Sequence, residues 1–462
     1  MQSPALVDGD EIFQYVRDLV EIGPRRTGTP EGKAAAVYVA DRLRSFGIED
    51  VRIDEVPSVR WVVTGSSLGV DGIEVDAFPV AHSGAVQGVL GPFGTGDNGI
   101  TRRLIDFDRV TETDDVRGAI VLFDVHFPAI DVGAIVPPAE RAEGTRWGEV
   151  YGALPDGKLV DPYNTTLADR VSAAVRAGAA GFIAVLADYF DSNRYLNEDY
   201  GVLTIPGMWV TRRQGELIRR RLVEQPEIDA ALTLHGTVER VTGYAPVAVL
   251  PGLSSETILV HSHHDSAWDG AVQDASGTSV VLALAKHFAS QPADDRQRTL
   301  MFATMDTHFT GYESHKTFVA EHVQTRQDGR EILVDIATEH IARDSYVDGD
   351  DLVMLDTPAP RLLFTNAGAV LTDVIDAAVE DLSHLVVLPT TLLPDEELPS
   401  DADWTYRAGV TVISLISAPI FLYDECDSLD KVDRPQLGLV TSAFARMIAE
   451  LMVMPRDAIC DR

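Results

Sequence analysis

The stretch ILVHSHHDSAWDGAVQDASGTSVVLAL, from Ile258 to Leu284, constrains this chain more tightly than any other part of it. Ile258, Leu259 and Val260 form a short apolar run that reads as a buried strand, and the strand ends in a cluster of histidines and an aspartate. A turn-rich loop follows, and Asp274-Ala-Ser-Gly then opens an apolar helix. Polar side chains at a strand end and a helix start are what the carboxyl edge of an α/β sheet uses to build a site. His263 and Asp274 offer an imidazole and a carboxylate, donors that a divalent metal such as zinc accepts. Asp265, two residues beyond His263, is placed to orient that imidazole. The bland alternatives are a histidine that ends a strand and an aspartate that caps a helix.

The segment resembles the H-x-D…G-A-x-D-x-x-S-G signature of the co-catalytic zinc aminopeptidases. That family also contains glutamate carboxypeptidase, the glutaminyl cyclases and the catalytically inactive transferrin receptor. The matching residues are His263, Asp265, Gly270-Ala271, Asp274 and Ser276-Gly277. The opening FQYVRDLVEIGPRRTGTPEGKAAAVYVADRL and the ending FLYDECDSLDKVDRPQLGLVTSAFARMIAEL are similar to the family's ends. GAIVLFDV, RVSAAVRAGAAGFIAVL and LTIPGMWVTRRQGELI resemble an inserted protease-associated domain. The resemblance implies an α/β fold with a mixed sheet flanked by helices. Residues 1–55 and 246–462 would form it, and 56–245 the β-rich insertion.

The resemblance also implies two metals about 3.5–4 Å apart, as in two-metal hydrolases generally. On one metal it implies His263, the bridging Asp274 and a later acid, best matched by Glu339 with Asp335 as fallback. The other metal departs from the pattern. Anchoring on Gly311 and on Phe318-Val319 puts His308 and Phe309 where a catalytic Glu and a ligand Glu belong, and Phe cannot ligate. The closing Tyr-His is Tyr423-Asp424, with Glu425 and Cys426 competing for that ligand position. One divalent ion, zinc before others, is therefore expected rather than two. His308 would serve as general base or acid, since an imidazole titrates near neutrality.

Other readings stay open. His308 and Asp424 can rebuild the second position; the scaffold can have become a non-catalytic binding protein; or the reaction can be a lyase, cyclase or isomerase step. The acidic stretch Asp395–Asp403 can hold a structural calcium ion. His264 reads as cleft lining, Phe309 as a pocket wall, and His261, His315 and His340 as structural. Trp404 follows Ser400-Asp401, which is similar to a family segment beside the cleft. A long connection near 128–165 reads as a lid, with Arg146, Trp147 and Tyr151 reaching the substrate. Eight of the twelve histidines fall between His261 and His340, which favours a working polar site.

Length and 45% hydrophobic content allow two or three domains with real cores. A net charge of −34 argues against nucleic acid and against anionic membrane surfaces. MQSPALVDGDEIFQYV has neither a basic start nor an apolar stretch, and no run is long enough for a membrane span. Two cysteines make no disulfide framework. The expectation is a cytoplasmic hydrolase of an amide or related C–N bond in a small molecule or peptide, with a homo-oligomer possible.

Overall fold

The computed structural model describes residues 8–110, 116–131, 148, 150, 152, 154, 157–197, 203–393 and 397–461. Trp147, Tyr151, Arg146 and Asp395 lie outside the described residues.

Two helices open the chain. α1 (Gly9–Ile22) starts at Asp8, whose carboxylate accepts from Asp10 N, and buries Ile12, Tyr15, Val16 and Leu19 at helical spacing. α2 (Pro30–Ser45) starts at the Thr29 cap, with Pro30 in the first turn, where a missing N–H costs nothing. β1 (Asp50–Val70) then pairs antiparallel with β6 (Asp229–Leu250), from Asp50 opposite Val249 to Val70 opposite Ala230. This ribbon joins two halves of one 15-stranded sheet. Divisions at 55/56 and 245/246 fall inside its two strands, whose pairing runs unbroken through both points.

The residues between the ribbon strands carry β2 (Ile100–Asp106), β3 (Ile120–Val125), β4 (Gly181–Leu186) and β5 (Gly207–Thr211). β2 to β5 are parallel to one another, and β2 is antiparallel to β6. α3 (Leu167–Arg176) and α4 (Arg212–Glu224) pack on them.

The other half holds β7 (Ser254–His263), β8 (Arg298–Met305), β9 (Glu331–Thr338), β10 (Arg361–Thr365), β11 (Leu385–Pro389) and β12 (Thr411–Ser417). Its order from the far edge is β11-β10-β12-β9-β7-β8-β6. β8, β7, β9 and β12 are parallel neighbours, so their carboxyl ends share one edge. β7, β8 and β9 are buried on both faces, hence their continuous apolar runs. α5 (Gly277–Ala289) and α6 (Arg434–Leu451) cover the sheet, α5 almost wholly buried. The fold is the expected mixed α/β sheet flanked by helices. No described helix is long and apolar enough to cross a membrane.

Candidate metal centre

The shared carboxyl edge brings His263 from the end of β7, His308 from the loop after β8, and Glu339 and His340 from just past β9. Asp401 comes from the loop before β12. All are buried, with exposures from 0% to 4%. Ligand atoms of His263, Glu339 and His340 lie within 4.8 Å of one another, as do those of His263, His308 and Asp401.

Hydrogen bonds decide which nitrogen each imidazole can offer. His263 Nδ1 lies 3.1 Å from the Asp265 carbonyl and 3.2 Å from its Oδ1. His340 Nδ1 donates to the Ser417 carbonyl at 2.9 Å. In both rings Nε2 is buried without a hydrogen-bond partner. A neutral imidazole whose other nitrogen is tied down is a pre-oriented metal ligand. Burial, with the neighbouring His308 next, holds the His263 pKa well below the ordinary value; burial, with His263 next, does the same for His340. Glu339 Oε1 accepts from Ser400 Oγ at 2.7 Å and from Asp401 N at 3.1 Å. Burial, then Asp401 and Asp274, raise its pKa well above the carboxylate range. A cation at this point would remove that penalty, so two orphaned nitrogens and one destabilised carboxylate fit a divalent metal of zinc's N/O preference.

His308 stacks on His263 with ring centroids 4.1 Å apart. Its Nδ1 donates to Asp401 Oδ1 at 3.0 Å, and Tyr312 Oη lies 3.4 Å from its Nε2. Burial works against a charged Asp401, but His315 and His308 prevail and hold its pKa well below the usual range. The loop is held in a costly shape. Thr307 has φ +69°, which a β-branched residue seldom adopts. Asp306 secures it by accepting from Thr27 Oγ1 at 2.5 Å, Tyr244 N at 2.8 Å and Thr307 N at 2.6 Å. Burial pushes Asp306 up to about 7, with Asp265 adding to it. Gly243 is required beneath, since a Cβ there would stand 2.5 Å from Thr307 Cγ2.

Several sequence-predicted residues take other places. Asp274 accepts from Gly277 N at 3.0 Å, His340 N at 3.1 Å and Ser262 Oγ, so its carboxylate caps α5 and ties it to β9. It belongs to neither converging group, and burial pushes it up to about 7. Asp424 is held by Ser192 Oγ at 2.6 Å and Cys426 N at 3.0 Å, with burial raising its pKa, and it too stands outside both groups. His264 corrects the expectation of a cleft-lining residue: strand alternation turns it away from His263. Its Nδ1 meets Thr304 Oγ1 at 3.0 Å, and burial, then Arg25, depress its pKa to about 3. Trp404 packs 5.9 Å from Tyr312 with Lys316 Nζ over its ring, away from the cleft. Phe309 does form a wall.

That cleft encloses about 540 Å³. Phe309, Ser266, Trp268, Arg60, Trp61 and Phe78 are among the residues that line it. The Phe309 ring lies 6.0 Å from that of His263, which sets the cleft beside the centre.

Sequence reasoning missed His340, His315 and His261 as site residues, and Asp401 as more than a loop acid. Period-two spacing with His263 was the available signal for His261. For Asp401 the signal was the likeness of Ser400-Asp401 to a family segment beside the cleft, while its burial comes only with folding. Arg25 was also missed. Its guanidinium donates to the carbonyls of His264 (2.8 Å), Leu19 (3.2 Å), Asp269 (2.7 Å) and Gly270 (2.8 Å), bracing the loop after β7.

Residues 247–448 match the model of Peptidase family M28. Carboxypeptidase Q of Rattus norvegicus is 24% identical over 321 residues, 65% of this chain and 60% of the relative, so the match spans less than two thirds of that protein. A zinc aminopeptidase from Bacillus subtilis superposes with TM-score 0.67 at 16% identity, over 97% of this chain and 96% of that one. A Peptidase M28 precursor from Shewanella amazonensis gives 0.66 at 20% identity, over 96% and 95%. These likenesses show the fold. The stretch 247–448, a little under half of the chain, is thus similar to Peptidase family M28.

Proposed function

We propose that this protein is a metal-dependent hydrolase of an amide or related C–N bond in a small molecule or peptide. One observation carries the reading: His263, Glu339 and His340 bring a ligand atom each to within 4.8 Å of one another at one sheet edge, and the Nε2 of both imidazoles is buried without a hydrogen-bond partner. Those three residues would hold the ion, zinc by donor type. A divalent metal bound there supplies Lewis acidity toward a carbonyl oxygen and a lowered pKa for bound water.

The chain's own groups do the rest. Asp401 accepts the Nδ1 proton of His308 and so presents Nε2 as the basic nitrogen. His308 then takes a proton from the attacking water and returns one to the departing nitrogen. Asp265 fixes the His263 ring, and Ser400 with the Asp401 amide fixes Glu339. A cleft of about 540 Å³ suits a small molecule or a peptide end rather than a folded protein. The names of the relatives, a carboxypeptidase and a zinc aminopeptidase, agree with a substrate cut near its end. We read the residues near 56–245 as a protease-associated insertion that supplies one wall of this cleft.

The test is a panel of dipeptides and N-acyl amino acids assayed with wild type, His340→Ala and His308→Ala, each with its metal content measured. His340→Ala loses one metal equivalent and turnover together. His308→Ala keeps the metal content of wild type and slows turnover by about 10²–10⁴-fold. A folded, metal-free wild type with no turnover overturns the proposal and leaves a binding protein.

A further inference from the structure

Beneath the centre just described lies a second set of donors: His261 on β7, His315 beyond the His308 loop, and Asp401. Their ligand atoms, one from each residue, all lie within 4.8 Å of one another, and the three residues are 1–2% exposed. His261 Nε2 sits 3.1 Å from the Asp335 carboxylate, which also accepts from Thr405 Oγ1 at 2.5 Å. Its Nδ1 is left buried with no hydrogen-bond partner. Neither nitrogen of His315 has a hydrogen-bond partner either. His315 Nε2 stands 3.0 Å from Asp401 Oδ2, yet the two are not aligned as donor and acceptor, and Oδ2 is likewise unpartnered.

A network of buried polar groups that existed for its own hydrogen bonds would align them, because a buried group without a partner costs about 1–3 kcal/mol. Four buried atoms here lack an aligned hydrogen bond, two of them forming the His315–Asp401 ion pair at 3.0 Å, and a cation is one group that would take up their lone pairs. Two imidazoles and one carboxylate with unused lone pairs are the donor set of a first-row divalent metal. Donors about 2.0–2.2 Å from a tetrahedral ion stand roughly 3–3.5 Å apart; the His315–Asp401 pair at 3.0 Å matches this, and all three donors lie within 4.8 Å. An acid that orients one ligand histidine from behind, as Asp335 does for His261, is the usual support of such a site.

We propose that His261, His315 and Asp401 hold a second divalent metal ion, of the zinc class, distinct from the ion at His263, Glu339 and His340. Asp401 then serves both positions in the site. Oδ2 faces the buried ion, while Oδ1 holds His308, so the second ion positions the proton-handling imidazole without touching substrate. The inference stands on its own donor atoms and does not require the hydrolase reading.

The test is elemental analysis of purified full-length protein, never exposed to chelator. Wild type is compared with His315→Ala, His315→Gln and His340→Ala, and each variant's fold is checked by circular dichroism. Cobalt(II) absorption bands give a readout that does not depend on activity. The expected result is two equivalents in wild type, one in each of the three variants, with different cobalt spectra remaining in the His315 and His340 variants. If both folded His315 variants keep the wild-type metal content and spectrum, the second site is overturned while the hydrolase reading stands. If His315 variants lose an equivalent and His340→Ala does not, the second site holds and the proposed first site fails. Metal-free wild type overturns both.

Discussion

Replacing Arg25 by Ala should destabilise the whole metal edge, and the size of the effect follows from its partners. Arg25 is 0% exposed and gives hydrogen bonds to four main-chain carbonyls, those of Leu19, His264, Asp269 and Gly270. Burial lowers its pKa to about 10, with Asp427 and Asp265 opposing, so it stays charged at neutral pH. Alanine strands all four acceptors. At about 1–1.5 kcal/mol for each, the low end of the range since Asp269 borders solvent, the loss is about 4–6 kcal/mol. Unfolding entropy near 2.1 cal/mol/K per residue gives about 1 kcal/mol/K for a chain of this length, so Tm should fall by about 4–6 °C. Arg25→Lys keeps the charge but offers three donors without the planar fork, and should lose about half as much. Differential scanning calorimetry in EDTA removes any metal contribution, and hydrogen exchange should report faster opening of residues 264–270. A drop of less than 1 °C in Arg25→Ala, with exchange unchanged, would refute the bracing role.

Two further expectations are open to direct measurement. Ser400→Ala removes the 2.7 Å bond to Glu339 and should weaken metal binding about 10–100-fold in competition with a chromophoric chelator; unchanged affinity would show that Ser400 does not position Glu339. Burial lowers the His82 pKa to about 4, against an ordinary value near 6.5. The unfolded chain therefore binds the proton first as pH falls. The stability tied to neutral His82, about 1–3 kcal/mol, is complete above pH 6.5 and lost on the way down to about 4. His82→Asn, which tolerates the φ of +63° there, should flatten the pH 7 to 4.5 decline in Tm; a decline equal to wild type refutes it.

The part of this protein written locally was legible without a structure. The Ile258–Val260 run, the histidines ending it and the helix after Asp274 are adjacent in sequence, so spacing alone placed a polar site at the carboxyl end of a strand. The same holds for α1, α2 and α6, whose periodic apolar faces and caps lie within each segment. The likeness to the peptidase family rested on those motifs as well. What tertiary structure alone decided is which side chains converge. Asp401 and His308 are separated by 93 residues and meet at 3.0 Å only because the loops after β8 and before β12 close over one edge. Asp274 and Asp424 carry plausible chemistry in sequence, yet backbone N–H groups and Ser192 claim their oxygens. His340 becomes a candidate ligand because Ser417 takes its Nδ1. A residue's type is a local property, but its free lone pairs depend on which partners the fold delivers to it.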